Sequence, residues 1–195
     1  MGGKCRFCKK NISYQYPLIE AVTAFLFWVS SFVFFSFSVR LVFASYIFVS
    51  FLILLMVSDL NWKLLPHVFN DFFIFCGLLV YGFFSNTHLF IGVSNFIMVG
   101  SVLFGFLQFF PKGLGGGDIK MMAALAIWVG LLKAAFIFVF GCVLASLVFF
   151  ILKISNKVSW KWKIPFGPFL AFGAFLVWFI PDLVDRVSFA LTRIN

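Results

Sequence analysis

The chain alternates long apolar runs with short breaks that are polar or marked by glycine and proline. A polar, basic opening (residues 1–16) is followed by apolar runs at Leu18–Val39, Leu41–Val57, Val68–Phe84, His88–Phe110, Ile119–Leu131, Ala134–Leu152 and Phe166–Ile180. A helix crossing the bilayer core takes about 20 apolar residues. The pattern therefore predicts about seven membrane-crossing helices and leaves no room for a sizeable soluble domain. The first run is too long for the apolar core of a signal peptide and lacks a small-residue cleavage site, so it reads as a retained helix. The fifth run, Ile119–Leu131, has only 13 residues. It needs a thinned bilayer, shelter inside the bundle, or extension into the glycine-rich turn before it. The expected fold is all-α and polytopic, with residues 1–16 as a short basic cytoplasmic segment and 17–195 as a membrane-embedded domain.

Composition excludes the alternatives. Hydrophobic residues make up 64% of the chain and charged residues 11%, with a mean hydropathy of +1.13. A soluble domain is about a quarter charged, so this chain cannot cover a globule with solvated side chains. A soluble enzyme, a disordered protein and a nucleic-acid-binding domain are ruled out, although the net charge is +9. In a membrane protein that excess reports orientation, because cytoplasmic loops collect Lys and Arg. With the N-terminus inside and seven alternating spans, eleven cations (Lys4, Arg6, Lys9, Lys10, Lys63, Lys112, Lys120, Lys153, Lys157, Lys161 and Lys163) fall on the cytoplasmic side. Four (Arg40, Lys133, Arg186 and Arg193) fall outside. The predicted topology is N-in, C-out.

The acids are few enough to place one by one: Glu20, Asp59, Asp71, Asp118, Asp182 and Asp185. Asp182 and Asp185 fall on the outer side, where solvation accounts for them. Glu20 enters the first span near the interface. Asp71, with Asn70, lies about one turn into the third span, and a solvated interfacial position accounts for both. Asp59 ends the second span and Asp118 begins the fifth, so both reach the cytoplasmic margin. An ionisable group at membrane depth is a functional candidate by default. Each also has a purely structural reading. Asp118 sits where a helix N-cap belongs, and Asp59 could mark the water interface and pair with Lys63. Gly115-Gly116-Gly117 permits positive φ and close backbone approach, which would press Asp118 against a neighbouring helix.

Brought together in a poorly solvated place, two carboxylates cannot both ionise easily and come to share a proton. One then takes a proton from water while the other protonates or hydrogen-bonds the scissile carbonyl. No Ser/His or Cys/His arrangement competes, since His67 and His88 fall on opposite sides in this topology. Cys5 and Cys8 form one Cys-x-x-Cys, half of a four-ligand zinc set, while Cys76 and Cys142 lie inside apolar runs.

These residues resemble a known family. Gly115-Gly116-Gly117-Asp118-Ile119-Lys120 fits the G-x-G-D-x-K motif of type IV prepilin leader peptidases, part of the wider G-x-G-D class of membrane aspartic proteases. Asp59 followed seven residues later by Pro66 looks like that family's other aspartate motif, and Ile164-Pro165-Phe166-Gly167-Pro168-Phe169-Leu170-Ala171 like its late segment. The opening is similar too: Cys5-x-x-Cys8, then Tyr16-Pro17-Leu18-Ile19-Glu20 and Thr23-Ala24. The resemblance implies catalytic Asp59 and Asp118, with Gly115, Gly117, Lys120, Pro66 and Glu20 shaping the site or meeting substrate. It also implies cleavage of the basic leader of prepilins or pseudopilins at the inner face of the bacterial cytoplasmic membrane. Peptide cleavage of this kind needs no cofactor.

Departures matter as well. The larger bacterial members begin with a further span and a first Cys-x-x-Cys that completes a zinc-binding cytoplasmic domain, a region associated with S-adenosylmethionine-dependent methylation. This chain reads as a short form starting almost at the second pair, which makes zinc and S-adenosylmethionine doubtful. His67 stands where the family often has Asp. The competing readings are a G-x-G-D protease for other signal or transmembrane peptides and a non-enzymatic, degenerate assembly factor. A small transporter is disfavoured because its charged groups would sit near the midplane. The topology predicts that a reporter fused at the C-terminus scores on the outer side. A cytoplasmic score would overturn it.

Overall fold

Inside a bilayer the backbone must satisfy its own hydrogen bonds, so an apolar run becomes a helix. The computed structural model describes residues 13–35, 38–84, 88–109, 115–155, 164–180 and 182. Its helices follow the apolar runs: α1 Gln15–Phe34, α2 Val39–Trp62, α3 His67–Phe84, α4 His88–Phe109, α5 Gly116–Val129, α6 Leu131–Ile154 and α7 Gly167–Phe179. Among the described residues there is no strand, and the all-α, polytopic expectation holds. Helices α1, α2 and α6 are each long and apolar enough to cross a membrane, and α3, α4 and α7 carry shorter apolar stretches. Hydroxyls within the spans are satisfied locally. Thr23, Ser30, Ser31, Ser45 and Ser50 each donate to the carbonyl four residues earlier, at 2.7–2.9 Å. This is how a polar side chain is tolerated on an apolar helix.

The chain divides into two units, Met1–Ile53 and Leu54–Asn195. In the first, α1 meets the early part of α2 through Tyr46. Its hydroxyl shares a 2.6 Å hydrogen bond with Ser31, and its ring stacks on Phe27 at 4.6 Å. The rest of α1 presents large side chains such as Phe25, Trp28 and Phe32 outward, as lipid contact requires.

The second unit is organised around α5, which packs against α3, α4, α6 and α7. Met121 to Ile127 are essentially sealed from the exterior. Two of the three ways to accommodate the short fifth run are used together. The helix starts inside the glycine-rich turn, at Gly116, and it is sheltered by neighbours on every side. Helices α3 and α5 run in the same direction: Asp71 pairs with Lys120, while Phe73 and Gly77 meet Trp128 farther along. The Trp128 ring stacks on Phe73 at 5.3 Å, and its Nε1 donates to the Phe73 carbonyl at 3.1 Å. Helices α6 and α7 run antiparallel, with Gly141 against Leu170 and Gly173 against Ile137. Small residues at such crossings let backbones approach closely. Gly130, at φ 86°, makes the left-handed turn between α5 and α6.

A Cβ at Gly77 would lie 2.7 Å from Trp128 Nε1, and the stacked, hydrogen-bonded indole has no room to retreat. Gly77→Ala should therefore destabilise the fold by about 1–3 kcal/mol, read as a lowered thermal unfolding midpoint in detergent.

Candidate active site

Asp59 lies in the last turn of α2, and only 5% of its surface is exposed. A buried carboxylate needs hydrogen bonds or a counter-charge, and the fold supplies both. The Gly167 N–H, at the start of α7, donates to Asp59 Oδ2 at 2.7 Å, and the positive charge of Lys63 reaches the same group. The free N–H groups of a helix N-terminus favour an anion. Pro168 in the first turn of α7 gives up no useful donor there. A side chain at position 167 would collide with the carboxylate, since its Cβ would stand 2.8 Å from Asp59 Oδ2. The late Ile164–Ala171 segment is thus explained in part. Pro168 sits in the first turn of α7, and the glycine before it holds Asp59, a role its sequence did not reveal.

The segment after Asp59 is equally constrained. Lys63 adopts a left-handed conformation (φ 51°), and its N–H closes α2 on the Asp59 carbonyl at 2.8 Å. The hydroxyl of Ser58, itself buried, donates to the Leu64 carbonyl at 3.0 Å. Pro66 precedes the first residue of α3, and its carbonyl accepts the Asn70 N–H at 3.4 Å. Leu65 rests on the glycine-rich turn, where a Cβ at Gly117 would come within 2.8 Å of the Leu65 Cβ. The close approach expected of the glycines is real at Gly117. The positive φ is not used: Gly115 is extended (φ −79°, ψ 145°), and Gly130 is the positive-φ glycine among those described.

Asp118 enters from α5. The N-cap is Gly115, not Asp118, which occupies the third helical position. From there its Oδ2 accepts the Gly115 N–H at 3.3 Å, the carboxylate half of a capping box. The capping reading therefore holds in altered form, and it does not exhaust the residue, because Asp118 also feels the negative charge of Asp59. Two acids 59 positions apart in sequence occupy one electrostatic site. Asp59 is sealed, while Asp118 is partly exposed next to the open backbone of Gly115 and Gly116.

Lys120 is exposed and pairs with Asp71 at 3.6 Å on the surface of the same unit. Asp71 is exposed. Asn70 is not: it is fully buried, which corrects its placement at a solvated interface. The reason is helical phase, since Asn70, Phe73 and Gly77 share the α3 face that packs on α5. Glu20 is exposed on α1 in the first unit, with no hydrogen bond or ion pair among the described residues. Asp182 is exposed. Asp185, Arg186, Cys5, Cys8, Lys112 and the loop cations Lys157, Lys161 and Lys163 lie outside the described residues. No group of three or more metal-binding side chains occurs among the described residues.

Comparison with known proteins meets this geometry from another direction. The type IV leader peptidase family matches residues 46–151. The chain belongs to that family. A second match, the Bacterial Peptidase A24 N-terminal domain, covers residues 1–34. Among curated relatives, a prepilin leader peptidase/N-methyltransferase of Bacillus subtilis is 29% identical over 189 residues, which cover 93% of this chain and 73% of that protein. Proteins of the same name from Xanthomonas campestris pv. campestris and Pseudomonas aeruginosa are 32% and 31% identical, over 94% and 95% of this chain and 65% of each relative. The chain thus spans roughly two thirds of the length of these leader peptidases. No solved structure gives a significant match.

In this family member, Gly167→Ala should displace the Asp59 carboxylate. A misplacement of about 1 Å costs on the order of a hundredfold in rate, so peptide cleavage should fall by about that much. The amount of protein recovered from membranes should stay unchanged.

Proposed function

We propose that this protein is a membrane aspartic endopeptidase that removes the basic leader from type IV prepilins or pseudopilins. The cut is made at the cytoplasmic face of the bacterial inner membrane. One observation carries the reading: Leu65, just past Asp59, rests on Gly117, beside Asp118, which brings two acids from the ends of different helices within electrostatic reach in a chain that belongs to a leader peptidase family.

The chemistry follows from the surroundings of each acid. Burial opposes charge on Asp59, and the short bond from the α7 N-terminus and the nearby Lys63 charge offset part of that cost; Asp59 is assigned as the base. Asp118 is repelled by that anion and keeps the shared proton. A water molecule between them gives a proton to Asp59 as its oxygen attacks the scissile carbonyl carbon. Asp118 protonates the carbonyl oxygen, forming a neutral gem-diol. Asp59 then returns its proton to the amide nitrogen while Asp118 takes one back from a gem-diol hydroxyl, which breaks the C–N bond, re-forms a carbonyl and restores the pair. Hydrolysis uses no cofactor. The methyl transfer named for the relatives requires a separate donor and is no part of these steps.

The position of the pair also suits the substrate class. Asp118 sits where α5 emerges into a wet turn, beside the exposed Gly115, Gly116 and Lys120. A prepilin joins a basic leader to a hydrophobic helix. That helix stays in lipid alongside the bundle while the polar junction reaches the two acids.

The test uses membranes carrying the protein and a prepilin with its leader intact. The wild type should release a shortened pilin, whereas Asp59→Ala and Asp118→Ala should each slow the cut by about 10²–10⁴-fold or more at unchanged protein level. Undiminished cutting by either variant would remove that residue from the mechanism. Efficient cutting of unrelated signal or transmembrane peptides would point to the broader G-x-G-D protease activity.

A further inference from the structure

Asn70 is an anomaly in an otherwise well-satisfied bundle. No part of its surface is exposed, and among the described residues neither Nδ2 nor Oδ1 of its side chain has a hydrogen-bond partner. A buried amide without partners is costly, and such groups in native proteins call for a specific explanation. Elsewhere among the described residues the buried polar side chains are paired: Ser30, Ser45 and Ser58 on carbonyls, Asp59 on a backbone N–H. An apolar residue of similar volume, such as Leu, would fill the same space without that cost.

The position of the amide indicates its use. Positions 70, 73 and 77 are spaced by three and four and lie on one helix face. Phe73 and Gly77 on that face touch Trp128 of α5. The neighbouring Asp71 pairs with Lys120, which fixes the level: this turn of α3 stands beside the first turns of α5. On the N-terminal side of Asn70, Leu65 presses on Gly117. The amide is thus placed between the Leu65 contact that precedes α3 and the α3–α5 contact at Trp128, near the first turn of α5 that carries Asp118. Asp118 itself is under-supported. Among the described residues its hydrogen bond is the long 3.3 Å contact from Gly115 to Oδ2, in contrast to the 2.7 Å bond that anchors Asp59.

We propose that Asn70 is a positioning residue for the acid of the pair. In the substrate-bound enzyme its Nδ2 donates to Oδ1 of Asp118, so that the protonated Oδ2 is turned towards the scissile carbonyl. The inference rests on the assignment of Asp118 to the catalytic pair. In the free enzyme the amide lacks a partner, which is the stability cost of holding a donor ready for the reacting state. The charged groups around this interface are Asp71 and Lys120, which pair with each other at the surface, and Asp59, which is already held by α7. None of them competes for the amide.

The experiment compares wild type, Asn70→Leu and Asn70→Ser, each full-length in membranes or detergent, by prepilin cleavage kinetics and by thermal unfolding. For Asn70→Leu, kcat should fall by about 10- to 100-fold, the loss expected for one hydrogen bond to a reacting acid. KM should stay within about twofold, and the unfolding midpoint should rise. Asn70→Ser, which restores a small donor, should recover part of kcat. Wild-type kcat in Asn70→Leu overturns the proposal. So does a lowered unfolding midpoint, because it would show that the amide already has a stabilising partner within the fold. The unfolding readout needs no activity. A silent wild type would therefore count against the leader-peptidase reading, while the unfolding shift still decides whether the amide is held unsatisfied.

Discussion

The hydrogen bond from the Gly167 N–H to Asp59 is the contact on which the site depends. It places a buried carboxylate at the positive end of α7, where the unpaired N–H groups of the first turn offset the cost of removing charge from water. The bond is possible only because position 167 has no side chain. It joins the end of α2 to the start of α7 across more than a hundred residues of sequence. Everything else at the site is arranged around a fixed Asp59. The left-handed Lys63 ends the helix, Ser58 closes the following turn, and Leu65 carries the same segment onto Gly117.

Helix α5 supplies the complementary half. Its side chains from Met121 to Ile127 are wholly enclosed by other helices, an unusual condition for a segment of only 14 residues. At about 1.5 Å per residue it rises about 21 Å, short of the hydrocarbon thickness of about 30 Å. A helix so short cannot place both its ends in water, but surrounded by protein it has no need to. Its N-terminus can then remain in an exposed turn with Asp118, while the remainder is locked by the Trp128 anchor to α3 and by the small-residue crossings of its neighbours. A central helix enclosed along its length and polar at one end holds Asp118 at a defined level of the bundle.

Much of this was readable from the chain. Apolar runs separated by Gly, Pro and charge became helices within a few residues of the expected ends, because in lipid the backbone has no alternative to the helix. The shared edge of Asp59 and Asp118 followed from counting spans, since an even span ending and an odd span beginning must meet on the same side. The misread residues have a common cause. Asn70 and Asp71 are adjacent in sequence and equally polar, yet one is sealed and the other solvated. Helical phase relative to α5 separates them, and a run apolar nearly all round carries no phase signal. The cap at Gly115 and the extended conformation of that residue could not be read either, because three successive glycines allow several turns and only the neighbour, Leu65, selects one.

Sequence alone therefore determined the membrane setting, the helices, and the two acids worth attention, since each of these depends on local composition and order. Tertiary packing decided which glycine would hold a carboxylate, which polar side chain would be enclosed, and how the short fifth segment would be accommodated. Those outcomes depend on distances between segments far apart in the chain. Such distances arise only when the helices settle against one another, and no single stretch of residues encodes them.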